Sequence, residues 1–145
     1  MMALVVGMAS IAANSTWQVE PLPDDAPVYQ MGGLTTYRPL SDRQASVIFV
    51  ACSDREPWAH IQIDGHIFRL IATSSKTSGE DKNGDGVGMT YDDSYEDVAN
   101  GLSVETIVTV KSFSAESDSD WEEGTLQVDF EGKTTTILIG GGFAN

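Results

Sequence analysis

The sequence predicts an all-β fold, a small antiparallel β-sandwich or barrel with one long acidic loop and one short helix. Three observations carry that prediction. Two segments alternate apolar and polar residues on either side of an x-Gly turn, at Asp64-Gly65 and at Glu131-Gly132, the pattern of tight hairpins. A third segment, ASVIFVAC from Ala45 to Cys52, is a continuous β-branched and apolar run suited to a strand buried on both faces. At 145 residues the chain has room for one domain and not for two ordinary ones.

Residues 3–13, ALVVGMASIAA, have the length of a signal-peptide h-region and end in small residues. No Lys or Arg occurs before Arg38, so the basic n-region is missing. Export to a periplasmic or secreted location is the reading this segment favours; an apolar strand or helix of the mature fold is the alternative. A membrane span needs about 20 apolar residues, more than this run holds. From residue 14 to 44 the chain reads as a Pro-rich extended arm. Pro21, Pro23, Pro27 and Pro39 disfavour helix, Gly32-Gly33 marks a turn, and Val28-Tyr29 and Thr35 to Tyr37 suit short edge strands. The β domain then occupies residues 45–145.

In the first hairpin, WAHIQI and HIFRLIATS flank Asp64-Gly65. A two-residue turn pairs Ile63 with His66, Ile61 with Phe68 and Ala59 with Leu70 on the core face. Trp58, His60 and Gln62 then face the other way. Residues 75–103 form the long loop. Val104 to Phe113 returns to strand character, and the second hairpin sets Leu126, Val128, Phe130, Ile137 and Ile139 on one face.

Charge excludes several classes of function. Eight Lys and Arg stand against 22 Asp and Glu, a formal net charge of -14. Such a chain repels a phosphate backbone and an anionic membrane surface. The single cysteine rules out an internal disulfide framework and a Cys-rich zinc site.

Within the long loop, Asp81-Lys82-Asn83-Gly84-Asp85-Gly86-Val87 runs on to Asp92 with oxygen side chains at loop positions 1, 3, 5 and 12 and glycine at position 6. This twelve-residue segment resembles the EF-hand calcium loop. Calcium takes six to eight oxygens, and a tight loop turns alternate side chains inward to supply them. The resemblance implies a structural calcium ion held by Asp81, Asn83, Asp85, the Val87 carbonyl and Asp92. Asp92 is shorter than the usual closing Glu, and no amphipathic helix precedes the loop. The same residues equally suit an acidic loop that solvates itself through Asx turns. Ser94 with Asp97 reads as a capping box and Asn100-Gly101 as a stop, placing a short helix after the loop.

A second acidic run surrounds Trp121 with Glu116, Asp118, Asp120, Glu122 and Glu123. Strand parity sends it to the opposite end of the sheet from the calcium-like loop, unless Met89 to Tyr91 pairs as an extra strand. An aromatic anchor ringed by one sign of charge suits a basic protein partner. Ser78-Gly79 and Tyr91 also resemble the Ser-Gly and Tyr loop of periplasmic lysozyme inhibitors, small exported β-barrels. That resemblance implies an acidic inhibitor of a basic, lysozyme-type hydrolase. No catalytic constellation assembles. His60 and His66 lie on opposite hairpin faces, Cys52 reads as a small buried hydrophobe, and the Gly140 to Gly142 run precedes no helix. The expected function is an exported, non-enzymatic binding module with a calcium loop, or the inhibitor-like alternative.

Overall fold

The computed structural model describes residues 17–24, 34–52 and 57–144. Residues 1–13, the Val28-Tyr29 strand and residues 14–16 and 25–33 of the Pro-rich arm lie outside them. Nine strands run Val19–Glu20 (β1), Leu34–Pro39 (β2), Phe49–Cys52 (β3), Trp58–Ile63 (β4), His66–Ser78 (β5), Thr90–Asp97 (β6), Leu102–Ser114 (β7), Ser119–Phe130 (β8) and Lys133–Ala144 (β9). From β2 onward each strand pairs antiparallel with the next, and β9 returns to pair with β2. The result is a closed eight-stranded up-and-down barrel, with β1 added beside the end of β4. Closure leaves no long edge to manage, which suits a chain built from consecutive hairpins. Among the described residues no helix is long and apolar enough to cross a membrane.

Both x-Gly hairpins form with the expected register: Ile63 pairs His66, Ile61 pairs Phe68 and Ala59 pairs Leu70. Asp64 (φ 49°) with Gly65 (φ 80°), and Glu131 (φ 52°) with Gly132 (φ 77°), have the positive φ pairs of type I′ turns. Their inward residues, with Phe49, Val104, Val108 and Ile139, fill the barrel interior. The apolar run after Ala45 is strand only from Phe49 to Cys52, and all four of those residues are buried. Phe49 and Ala51 face the core. Val50 and Cys52 face outward under a second apolar cluster with Leu22, Leu34 and Trp58.

Three expectations change. Thr35 to Tyr37 belongs to a barrel strand paired on both sides, not to an edge. The long loop contracts to residues 79–89, because β5 continues to Ser78 and TYDDSYED forms β6. The short helix shrinks to one 3-10 turn, Val98–Asn100; Asp97 caps it, Gly101 (φ 65°) ends it, and Ser94 lies within β6.

One end of the barrel is plugged. The Trp17 indole N–H donates to the Phe130 carbonyl at 2.8 Å, and its ring meets Phe130 edge to face. Phe68 packs on Phe130 from the other side. The opposite end is open among the described residues.

A candidate binding site at the open end of the barrel

The extra strand β6 reverses the expected parity of the acidic segments. With β5 rising, β6 falling, β7 rising and β8 falling, the 79–89 loop and the 115–118 turn emerge at the same end. At that end the barrel holds a cavity of about 700 Å³, in the size range of ligand pockets. Barrel mouths are a favoured place for such pockets because eight strands leave little more room than the interior side chains fill.

An aromatic layer makes the floor. Phe49 stacks against Tyr37 (centroids 6.4 Å apart) and meets Tyr95 edge to face (5.4 Å). Above it the inward positions of β6 and β8 turn polar: Tyr91, Asp93 and Tyr95 from β6, and Asp120 and Glu122 from β8, line the space. Glu122 is 5% exposed and accepts a 2.5 Å hydrogen bond from the Tyr37 hydroxyl. Gly141 permits that contact. It is the register partner of both Tyr37 and Glu122, so the strand between them presents no side chain.

Burial is the largest cause holding the Glu122 carboxyl up at about 7. The Tyr37 bond opposes the shift, while a hydrogen bond and repulsion from Asp120, and repulsion from Asp93, reinforce it. Burial raises Tyr37 well above its ordinary value, aided by the Glu122 charge, and raises Tyr95 for the same leading reason. Perturbed ionisation of this kind concentrates at functional sites.

The acidic residues around Trp121 do not form one loop patch. Asp120 to Glu123 are strand residues, and alternation divides them between two faces. Asp120 and Glu122 face the cavity. Trp121 and Glu123 lie on the outer wall, where the Trp121 N–H donates to Glu123 at 2.8 Å. Arg43 lies 4.3 Å over the Trp121 ring and 3.9 Å from Glu123, so the aromatic anchor already has an intramolecular occupant. Glu116 and Asp118 remain at the exposed 115–118 turn. The glycine run lies in β9, where a Cβ on Gly140 would stand 2.6 Å from the Trp121 ring.

The calcium-like residues divide between the 79–89 loop, which holds Asp81, Asn83, Asp85 and Val87, and β6, which holds Asp92. Asp81 accepts the Gly86 N–H at 3.0 Å and Asp85 accepts the Val87 N–H at 3.1 Å, the self-solvating arrangement of an acidic turn. Asn83 is exposed, and Val87 is half-buried at the base of the loop. Asp92 belongs to β6, where its register partners are Lys76 on β5 and Ile107 on β7. Among the described residues no three His, Cys, Asp or Glu side chains converge as a metal site. Asp81 and Asp85 each direct a carboxylate oxygen to a backbone N–H of their own loop. Thermal unfolding is therefore expected to give the same midpoint, within about 1 °C, in millimolar calcium and in chelator. A rise in calcium that Asp81→Ala abolishes would show that the loop rearranges to bind.

The remaining candidates fall as the sequence placed them. His60 is opposite Arg69 and His66 opposite Ile63, on different faces of the hairpin. Burial first, then the Arg69 charge, lowers the basicity of His60. Cys52 is a buried free thiol. The functional group that sequence reasoning misread is Glu122. Its sequence neighbours include other acids, and only its alternation with Gly124 and Leu126 along β8 marks it as inward. The chain matches no protein-family model, no curated protein sequence and no solved structure.

Proposed function

We propose that this chain is an exported, non-enzymatic binding module that docks a basic protein on the acidic open end of its barrel. The observation that carries the reading is the convergence of both acidic segments on one end. Glu80, Asp81 and Asp85 rise from the 79–89 loop, Glu116 and Asp118 from the neighbouring turn, and Asp93, Asp120 and Glu122 line the space between. A surface of one sign over a concave mouth steers an oppositely charged partner and raises its rate of association.

A basic lysozyme-type hydrolase is the first partner to test. Ser78 pairs Thr90 and Thr77 pairs Tyr91, so the Ser78-Gly79 and Tyr91 elements lie side by side at this same mouth. That placement supports the inhibitor reading over a generic acidic surface.

The expected result is binding whose association rate falls at least about tenfold between roughly 20 and 300 mM salt. Neutralising the rim with Glu80→Gln, Glu116→Gln and Asp118→Asn together should slow association and leave dissociation nearly unchanged. Binding indifferent to ionic strength, or no binding to a basic lysozyme at low salt, would count against the proposal.

A further inference from the structure

The inside of the mouth has a chemistry more specific than its rim. We propose that the cavity is a recognition site for one organic cation, an alkylammonium or guanidinium group, with the Glu122 carboxylate as its counter-ion and the Tyr37, Tyr91 and Tyr95 rings around it. The inference deepens the docking proposal, since a partner's Lys or Arg side chain is one source of such a group and a free amine is the other.

Three observations lead there. The cavity is large enough for a side-chain-sized ligand and is lined by aromatic rings as well as carboxyls. Its charge is of one sign: Asp93 on β6 faces Asp120 and Glu122 on β8, and no Lys or Arg among the described residues lines the space. A buried carboxylate is ordinarily paired with a cation, yet Glu122 has a tyrosine hydroxyl and another acid. Three of the described cations are engaged elsewhere. Arg43, Arg69 and Lys133 lie over the Trp121, Trp58 and Trp17 rings, away from the cavity.

An anion is excluded by the three acids, and a neutral guest would bring them no compensating charge. A cation gains the carboxylate and the faces of the rings together. Among the described residues, every ionisable group facing Glu122 inside the mouth acts in the same sense. Asp120 from its own strand, Asp93 and the tyrosines of β6, and Tyr37 of β2 bring no positive charge. Below neutral pH Glu122 carries a proton, so binding a cation releases that proton to solvent. Affinity should therefore fall about tenfold for each pH unit below 7.

Calorimetric titration of the full chain with n-butylammonium, n-butylguanidinium and 1-butanol at pH 8 and pH 5.5 tests the site. The expected result is saturable binding of one cation, at least tenfold tighter than the alcohol, with proton release and weaker binding at the lower pH. Glu122→Gln, checked for a cooperative melt, should lose at least tenfold in affinity and all of the pH dependence. Tyr91→Leu, at the half-buried lip of the mouth, should weaken the cation severalfold in a chain whose floor is untouched. Equal binding of alcohol and ammonium, no saturation by either cation, or unaltered binding by a folded Glu122→Gln chain would overturn the site.

Lysine blocked at both backbone ends, compared with free butylamine, separates the sources. Tighter binding of the blocked residue assigns a partner side chain, the reverse assigns a free amine, and both sustain the site. The two proposals also fail separately. A basic protein that docks with salt-sensitive affinity while no small cation binds keeps the docking reading and removes this one. A small cation that binds where no basic protein does has the opposite consequence.

Discussion

Gly141→Val should cost this barrel about 3–5 kcal/mol and sever the contact that organises its open end. A Cβ at this position would stand 1.9 Å from the Thr36 carbonyl oxygen, a backbone atom that can give way only if β2 and β9 separate. Overpacking alone typically costs about 1–3 kcal/mol. The added side chain would also stand between Tyr37 and Glu122, which meet across β9. Losing a hydrogen bond to an ionisable group adds about 1.5–3 kcal/mol. Chemical denaturation of Gly141→Val beside Tyr37→Phe apportions the two parts. Tyr37→Phe removes the bond and leaves the strand spacing alone, so it should cost about half as much or less. If the two variants are equally destabilised, Gly141 is not the steric window that the register implies.

The same inward positions explain which parts of this fold were legible in the sequence. The hairpins at Asp64-Gly65 and Glu131-Gly132 were readable to the residue, because turn chemistry and apolar alternation are both local signals. β6 was not. Its inward residues are Tyr91, Asp93 and Tyr95, so an acid occupies the middle of the face where periodicity looks for an aliphatic residue. Asp120 and Glu122 disguise the start of β8 in the same way. The features that make a polar cavity are those that erase the strand pattern, so the candidate site was hidden by its own composition. One missed strand then carried a topological consequence. Without β6 the two acidic segments fall at opposite ends of the sheet; with it they share one mouth. The calcium-like spacing carries two readings for a related reason. Asp, Asn and Gly serve a self-bonded turn as well as a metal cage, and Asp92 was counted into a loop when it is a strand residue. Trp121 was legible as a surface aromatic, but Arg43, distant in sequence, decides what covers it.

Stability should fall as pH rises from about 4.5 to 7, and Glu122 should account for a large part of that loss. Its carboxyl ionises near 4.5 in the unfolded chain and at about 7 in the barrel. Between those values the folded state holds a proton that the unfolded state has released. Raising pH through the window therefore favours unfolding, and the effect levels off once Glu122 is ionised in both states. The loss is on the order of 3 kcal/mol for this one group. Other acids repel one another at high pH too, since the net charge is -14. Glu122→Gln isolates the buried group from that background. A neutral amide replaces a carboxyl that is uncharged at pH 5, so the variant and the natural chain should melt within a few degrees of each other there. At pH 8 the natural chain buries a charge beside Asp120 and Asp93 while the variant does not, so the variant should be the more stable of the two. A difference in melting temperature that stays constant from pH 5 to 8 would refute the assignment. A difference that grows through pH 7 and then disappears when an alkylammonium is added would tie the destabilisation to the cavity, because a cation that compensates Glu122 stabilises the natural chain and has no carboxylate to pair with in the variant.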